Sequence, residues 1–149
     1  MKQRLRAIKR HFKEVLKTKT SSEAIALGFS IGTFISILPT TGFGVLIGLL
    51  VLAIFKRLSK YGLFLAMALW NPLTVAPLYI LSFQIGEWIM VHPPPLIELT
   101  GLDRFLDHSK NFIIGNLALN VPISVLSFII VYIIVNLYKA KIDERETKI

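Results

Sequence analysis

The chain has 149 residues, no cysteine and a formal net charge of +8 from 17 Lys and Arg against 9 Asp and Glu. Its mean hydropathy is +0.64 and 54% of its residues are hydrophobic, more than a soluble domain of this size could bury. Disulfide frameworks and thiolate metal sites are excluded, and the composition is that of a small integral membrane protein.

Residues 1–19 hold eight Lys or Arg against the single acid Glu14. Leu5, Ile8, Phe12, Val15 and Leu16 fall on one helical face, with Arg6, Lys9, Arg10, Lys13 and Lys17 elsewhere. Residues 1–22 therefore read as a basic amphipathic helix lying on an anionic leaflet. Its apolar face leads directly into the membrane domain, so anionic lipid headgroups are the expected partner and nucleic acid is not. This start is too charged for the n-region of a cleavable signal.

A membrane domain is expected over 23–138. Its first part, Ala24 to Phe55, has thirty-two residues without a charge, interrupted by Pro39-Thr40-Thr41-Gly42. The arms Ala24–Leu38 and Phe43–Phe55 would be about 22 and 20 Å long, short of a hydrocarbon core of about 30 Å. The expectation is a re-entrant helical hairpin over 24–55, its tip either a packing device or a site, because non-helical backbone at depth needs protein or water around it. Gly28, Gly32 and Ser36 on the first arm, and Gly44 and Gly48 on the second, recur every four residues and are assigned to close packing of the two arms on each other.

The second apolar run, 61–91, breaks at Trp70-Asn71-Pro72, where Asn71 suits an N-cap and Pro72 the first helical position. This broken helix is either a kinked crossing or a second hairpin. Glu87 is its single charge, a candidate for coupling or a residue of the headgroup region. The segment 92–110 opens with Pro93-Pro94-Pro95 and continues into one or two turns of interfacial helix around Leu96–Leu106. The last run, 111–138, is long enough to cross. Pro122 is expected to kink it, and Asn116 and Asn120 share a face.

Lys56, Arg57 and Lys60 follow the hairpin, and Lys139, Lys141, Arg145 and Lys148 lie in a charged tail over 139–149. Segment 92–110 has only Arg104 and Lys110 against Glu98, Asp103 and Asp107. The positive-inside rule then puts both termini in the cytoplasm and 92–110 outside, in a multi-pass protein of the cell (inner) membrane. With so few segments, buried polar tips need shielding by a second copy, so a homo-oligomer is expected, with Asn116 and Asn120 facing inward or across the interface.

The breaks at Pro39 and Pro72 each open a new helix, whose N-terminus carries unpaired N–H groups and a positive partial charge suited to phosphate or carboxylate. Pro39, Thr40, Thr41, Gly42, Asn71, Pro72 and Thr74 are the candidate substrate-binding residues, as in transporters with paired broken helices. The other reading is that these side chains only cap helix ends. His11, His92 and His108 are scattered, and neither a nucleophile–base pair nor a metal or cofactor motif appears, so the chain is not read as an enzyme. The leading function is transport or flipping of a small or lipid-linked anion; the alternative is a non-catalytic structural or scaffolding membrane subunit.

The string Gly28-Phe29-x-x-Gly32-x-Phe34-x-x-x-x-Pro39-x-x-Gly42, followed by Trp70-Asn71-Pro72-x-Thr74-x-x-Pro77-x-Tyr79 and Gly86, resembles the DUF2062 family of small prokaryotic membrane proteins over about residues 5–138. The resemblance implies a compact inner-membrane domain, sometimes attached to other domains, and supplies no biochemical activity; the fold expected from the residues is that of an all-α polytopic membrane protein.

Overall fold

The computed structural model describes residues 20–40, 42–90 and 101–146, with the side chains of the last helix described at 106 and 108–142. All regular structure among the described residues is helical: α1 Ser22–Ile37, α2 Gly44–Ile54, α3 Lys60–Leu69, α4 Pro72–Ile89 and α5 Gly101–Glu146. The basic helix expected over 1–22 falls outside the described residues apart from its last three, as do Thr41 and residues 91–100.

Local chemistry sets the ends of these helices. Ser21 caps α1 by accepting from the Ala24 N–H at 3.1 Å, and Glu23 in the first turn complements the helix dipole. Leu38 is extended (φ −62°, ψ 142°), as the residue before Pro39 must be, and α1 stops there. Ser59 caps α3. Asn71 caps α4 and Pro72 occupies its first turn. Between α3 and α4 the chain bends by 75°.

Helix α1 is the spine of the fold. On one side it runs parallel to α3, starting where the Ser59 N–H donates to the Ala24 carbonyl at 3.1 Å. A Cβ on Gly28 would strike the Ser59 carbonyl, one on Gly32 would lie 2.5 Å from the Leu63 carbonyl, and one on Gly62 would strike that of Ile25. On the other side α1 runs antiparallel to α5. Lys139 of α5 donates to the Thr20 carbonyl, Ile25 packs with Val135, Val131 and Tyr138, and the Ser30 hydroxyl donates to the Ser124 carbonyl at 2.7 Å. Helix α4 crosses the first part of α5 just as tightly, with Gly86 on the backbone of Asn111 and Gly115 on that of Ser82. The Tyr79 and Phe83 rings flank Phe112 at 5.3 and 5.0 Å.

At Gly28, Gly32 and Gly48 the glycine spacing serves a different partner from the one expected, while a Cβ on Gly44 would lie 3.8 Å from Ile35 of the first arm. Gly28 and Gly32 hold α1 against α3, not against the second arm, and Gly48 faces Met67 and Leu63 of α3. The reason is steric: a stripe of small residues accepts any backbone brought close enough, and Gly62 of α3 supplies the matching gap. The 92–110 segment and the charged tail also need correction. Residues 101–110 and 139–146 belong to α5, a single helix of 46 residues assigned through Pro122.

Within α5, His108–Ile142 is 35 residues long and apolar enough to cross a membrane, yet only 17% of its most apolar window is buried inside the protein. Helices α3 and α4 meet that standard only as a bent pair, and α1 and α2 are shorter apolar helices of 16 and 11 residues. Much of the α2 surface is exposed and apolar, including Leu46, Leu50 and Ile54, as is Phe43 just before it.

Candidate functional site

Helix α1 ends inside the fold, where the Leu38 N–H still donates to the Phe34 carbonyl at 3.2 Å and the carbonyls after it lie past the regular helical pairing. Side chains of α4 and α5 supply partners. Asn120 donates to the Phe34 carbonyl at 2.9 Å, Asn116 to that of Ile37 at 3.2 Å, and the Tyr79 hydroxyl to that of Leu38 at 3.3 Å. The two asparagines sit four residues apart on one face of α5, and both are essentially fully buried. Around them the polar contacts continue. Ser124 donates to Asn120 Oδ1 at 3.2 Å, and Asn116 also donates to Ser82 Oγ at 3.4 Å. Asn116 Oδ1 is buried without a partner. Nearby, Trp70 Nε1 donates to buried Thr33 at 3.0 Å, pinning the end of α3 to α1.

Just beyond lies the first break. The Phe43 N–H donates to the Thr40 carbonyl at 2.9 Å, closing a turn in which Gly42 has φ +90°. Positive φ at the third turn position favours glycine. Pro39 and Gly42 are exposed and Thr40 is half-buried, its hydroxyl 3.5 Å from the Leu38 carbonyl. Helix α2 then begins after Phe43, which makes no side-chain cap bond. Among the described residues, no side chain accepts from the main-chain N–H groups of the first turn of α2.

The second break differs. Asn71 Oδ1 accepts from the N–H groups of Leu73 and Thr74 at 2.9 and 3.1 Å, and the Thr74 hydroxyl donates back to the Leu69 and Asn71 carbonyls. Asn71, Pro72 and Thr74 are exposed, and their polar groups serve the helix end itself. Both breaks lie toward the C-terminal end of α1, because Trp70 reaches Thr33 and Tyr79 reaches Leu38. Glu87 and Gln84 are exposed on α4.

Sequence reasoning placed Asn116 and Asn120 on a shared face, pointing inward or across an interface between copies; they are buried within the chain, and what they bind was missed, as were Tyr79, Ser82 and Thr33. A buried main-chain oxygen carries no side-chain signal. Only the proline that ends α1, read with the polar residues of an otherwise apolar run, could have paired them. Among the described residues no group of three or more His, Cys, Asp or Glu could hold a metal ion.

Neither the curated proteins nor the solved structures contain a match to this chain. A family model does match, over residues 5–143, described as an uncharacterized protein conserved in bacteria (DUF2062). The match spans α1 through nearly all of α5 and both helix breaks, and the chain belongs to the DUF2062 family.

Proposed function

We propose that this is a multi-pass inner-membrane protein that moves a small or lipid-linked anion past the N-terminus of α2. The carrying observation is the asymmetry of the first break. The negative end of α1 is neutralised by Asn116, Asn120 and Tyr79, whereas the positive end of α2 follows Gly42 without a side-chain cap. An anion at that tip would meet N–H donors and the positive end of the helix dipole, with the Thr40 hydroxyl beside them; Thr41, the next residue in the sequence, is taken as the second hydroxyl of the proposed site. Because Asn71 already accepts the first N–H groups of α4, the binding role falls mainly on Pro39–Gly42, with Asn71, Pro72 and Thr74 shaping the second wall. The basic link Lys56–Lys60 and Lys139 lie at the opposite end of α1, which supports cytoplasmic placement of that end.

Proteoliposomes provide the test. Wild-type protein is expected to accelerate either uptake of inorganic phosphate or inward movement of a fluorescent phosphatidylglycerol. Thr41→Val should reduce this at least about tenfold while the protein accumulates normally, as expected when a hydrogen-bonding group is lost from a site. Wild-type rates equal to those of protein-free vesicles for both probes would sink the proposal.

A scaffolding subunit is the second reading. It is favoured by the number of polar side chains engaged in holding the α1 terminus and by the backbone-tight glycine crossings, which suit a rigid platform. It predicts that tip variants leave lipid and phosphate movement unaffected but lose partner proteins in crosslinking.

A further inference from the structure

Helix α4 buries Ser82 and Gly86 against α5 and leaves a stripe exposed on another side: Leu73, Pro77, Ile80, Gln84 and Trp88. Their spacing of four, three, four and four residues keeps them on one helical face. Two polar groups on this stripe lack a partner. Pro77 has no N–H, so the Leu73 carbonyl, four residues before it, loses its regular helical donor. The Gln84 amide makes no hydrogen bond among the described residues. In the membrane placement proposed above, the middle of α4 lies in the apolar layer. The Tyr79 hydroxyl reaches the Leu38 carbonyl, about 21 Å along α1 from Ala24, where the uncharged run begins. Hydrocarbon offers a carbonyl no donor and an amide no acceptor, so this face needs protein over it. The exposed face of α2, which carries no polar side chain, needs only lipid.

A second copy of the chain meets both needs at once. Two-fold symmetry brings the same patch from each side, so a donor and an acceptor on one stripe pair twice. Copies inserted in one orientation share an axis along the membrane normal, about which an upright helix pairs parallel and a helix near the membrane plane pairs antiparallel. With α1 and α3 upright, the 75° bend lays α4 close to that plane. Antiparallel α4 helices crossing between Ile80 and Leu81 set Gln84 of one copy opposite Pro77 of the other, since 77 and 84 are equally far from that point. The long Gln84 side chain then meets the carbonyl that Pro77 leaves without a donor. The same crossing holds the two Glu87 carboxylates about 20 Å apart along the helix axes. Asn116 and Asn120 take no part, because both are turned into the core of their own chain. We propose that the protein dimerises through this face of α4, with Gln84 of each copy donating to the Leu73 carbonyl of the other. The interface rests on the membrane placement of α4 and not on anion movement.

The test uses the full-length, cysteine-free chain in native membranes. Ile80→Cys and Leu81→Cys should each be joined into dimers by a short bis-maleimide, and Leu50→Cys on α2 should stay monomeric. Monomers from both α4 variants, or equal crosslinking of Leu50→Cys, would overturn the interface. The hydrogen bond is read from the dimer dissociation constant in mild detergent. Gln84→Leu should raise it about fivefold, the loss of two modest bonds between membrane helices. Pro77→Ala returns a helical donor to the Leu73 carbonyl, so adding Gln84→Leu to that variant should change the constant less than about twofold. The same loss in both backgrounds would overturn the pairing of Gln84 with Leu73. Phosphate and lipid movement, measured in vesicles, reports on the anion site separately.

Discussion

Asn120 on α5 donates its side-chain amide to the main-chain oxygen of Phe34 on α1 at 2.9 Å, joining residues 86 positions apart in the chain. The same amide accepts from Ser124 through its oxygen, so both ends of the group are engaged. Replacing it with an apolar residue of similar volume leaves the Ser124 hydroxyl without that acceptor and removes one of the ties between α1 and α5. Asn120→Leu should destabilise the protein by about 1 kcal/mol, within the range for hydrogen bonds between membrane helices. Asn136, exposed on the same helix, is the control, and Asn136→Leu should leave the unfolding midpoint in detergent nearly unchanged. Equal midpoints for the two variants would show that the α1 terminus does not depend on Asn120.

The glycine crossings make a graded prediction. A Cβ at Gly86 or Gly115 would run into main-chain atoms of the facing helix, which can yield only if the helices part. At Gly48 the nearest atom is the terminal methyl of Met67, at the end of a flexible side chain. Gly86→Ala and Gly115→Ala should each cost about 1–3 kcal/mol or more, the range for overpacking, and Gly48→Ala well under that. Thermal midpoints of the three purified variants check the ranking.

What sequence made legible was local. Pro39 and Pro72 mark chain breaks because proline removes a donor and constrains the residue before it, and Asn71 announces a cap by its chemistry. These effects need no neighbour from elsewhere in the chain. The partner of α1 was not legible, because Gly28 and Gly32 specify a surface that admits close approach without naming what approaches. Reading 24–55 as a hairpin suggested α2; the actual partner of Gly28 and Gly32 is α3, whose Gly62 answers the stripe from across a link. The extent of α5 was misread for a related reason. Charged residues at 103–110 and 139–145 looked like loop and tail, yet charge ends only the membrane-embedded part of a helix and does not stop its hydrogen bonding.

Residues 1–19 and the association of copies lead to a further expectation. A peptide of this sequence should become helical on vesicles rich in phosphatidylglycerol and remain unstructured on neutral ones, as read by circular dichroism. Binding should weaken as salt rises, since each Lys or Arg near the surface contributes about 1 kcal/mol, screened over a Debye length of about 10 Å at 0.1 M. A peptide unstructured on both vesicles would remove the surface-helix assignment. The full-length protein should appear as a dimer in native mass spectrometry from mild detergent, and a strict monomer would remove the shielding role given to a second copy.

Membrane topology is the last expectation. Helix α1 is about 24 Å long and α2 about 16 Å, so neither spans a core of about 30 Å. The Ser59 N–H donates to the Ala24 carbonyl, and Lys139 reaches the Thr20 carbonyl, so the start of α1, the basic link and the end of α5 share one end of the bundle. If that end is cytoplasmic, the α1–α2 pair enters and leaves on the same side, while the bent α3–α4 pair and α5 carry the chain across and back. Because the chain has no cysteine, single substitutions Lys56→Cys, Thr40→Cys, Thr100→Cys and Lys141→Cys can be probed with a membrane-impermeant maleimide. In intact cells Thr100→Cys should label and Lys56→Cys and Lys141→Cys should not; inverted vesicles should reverse the pattern. Thr40→Cys should label weakly from either face. Labelling of Thr40→Cys from outside as readily as Thr100→Cys would replace the re-entrant hairpin with two short crossings.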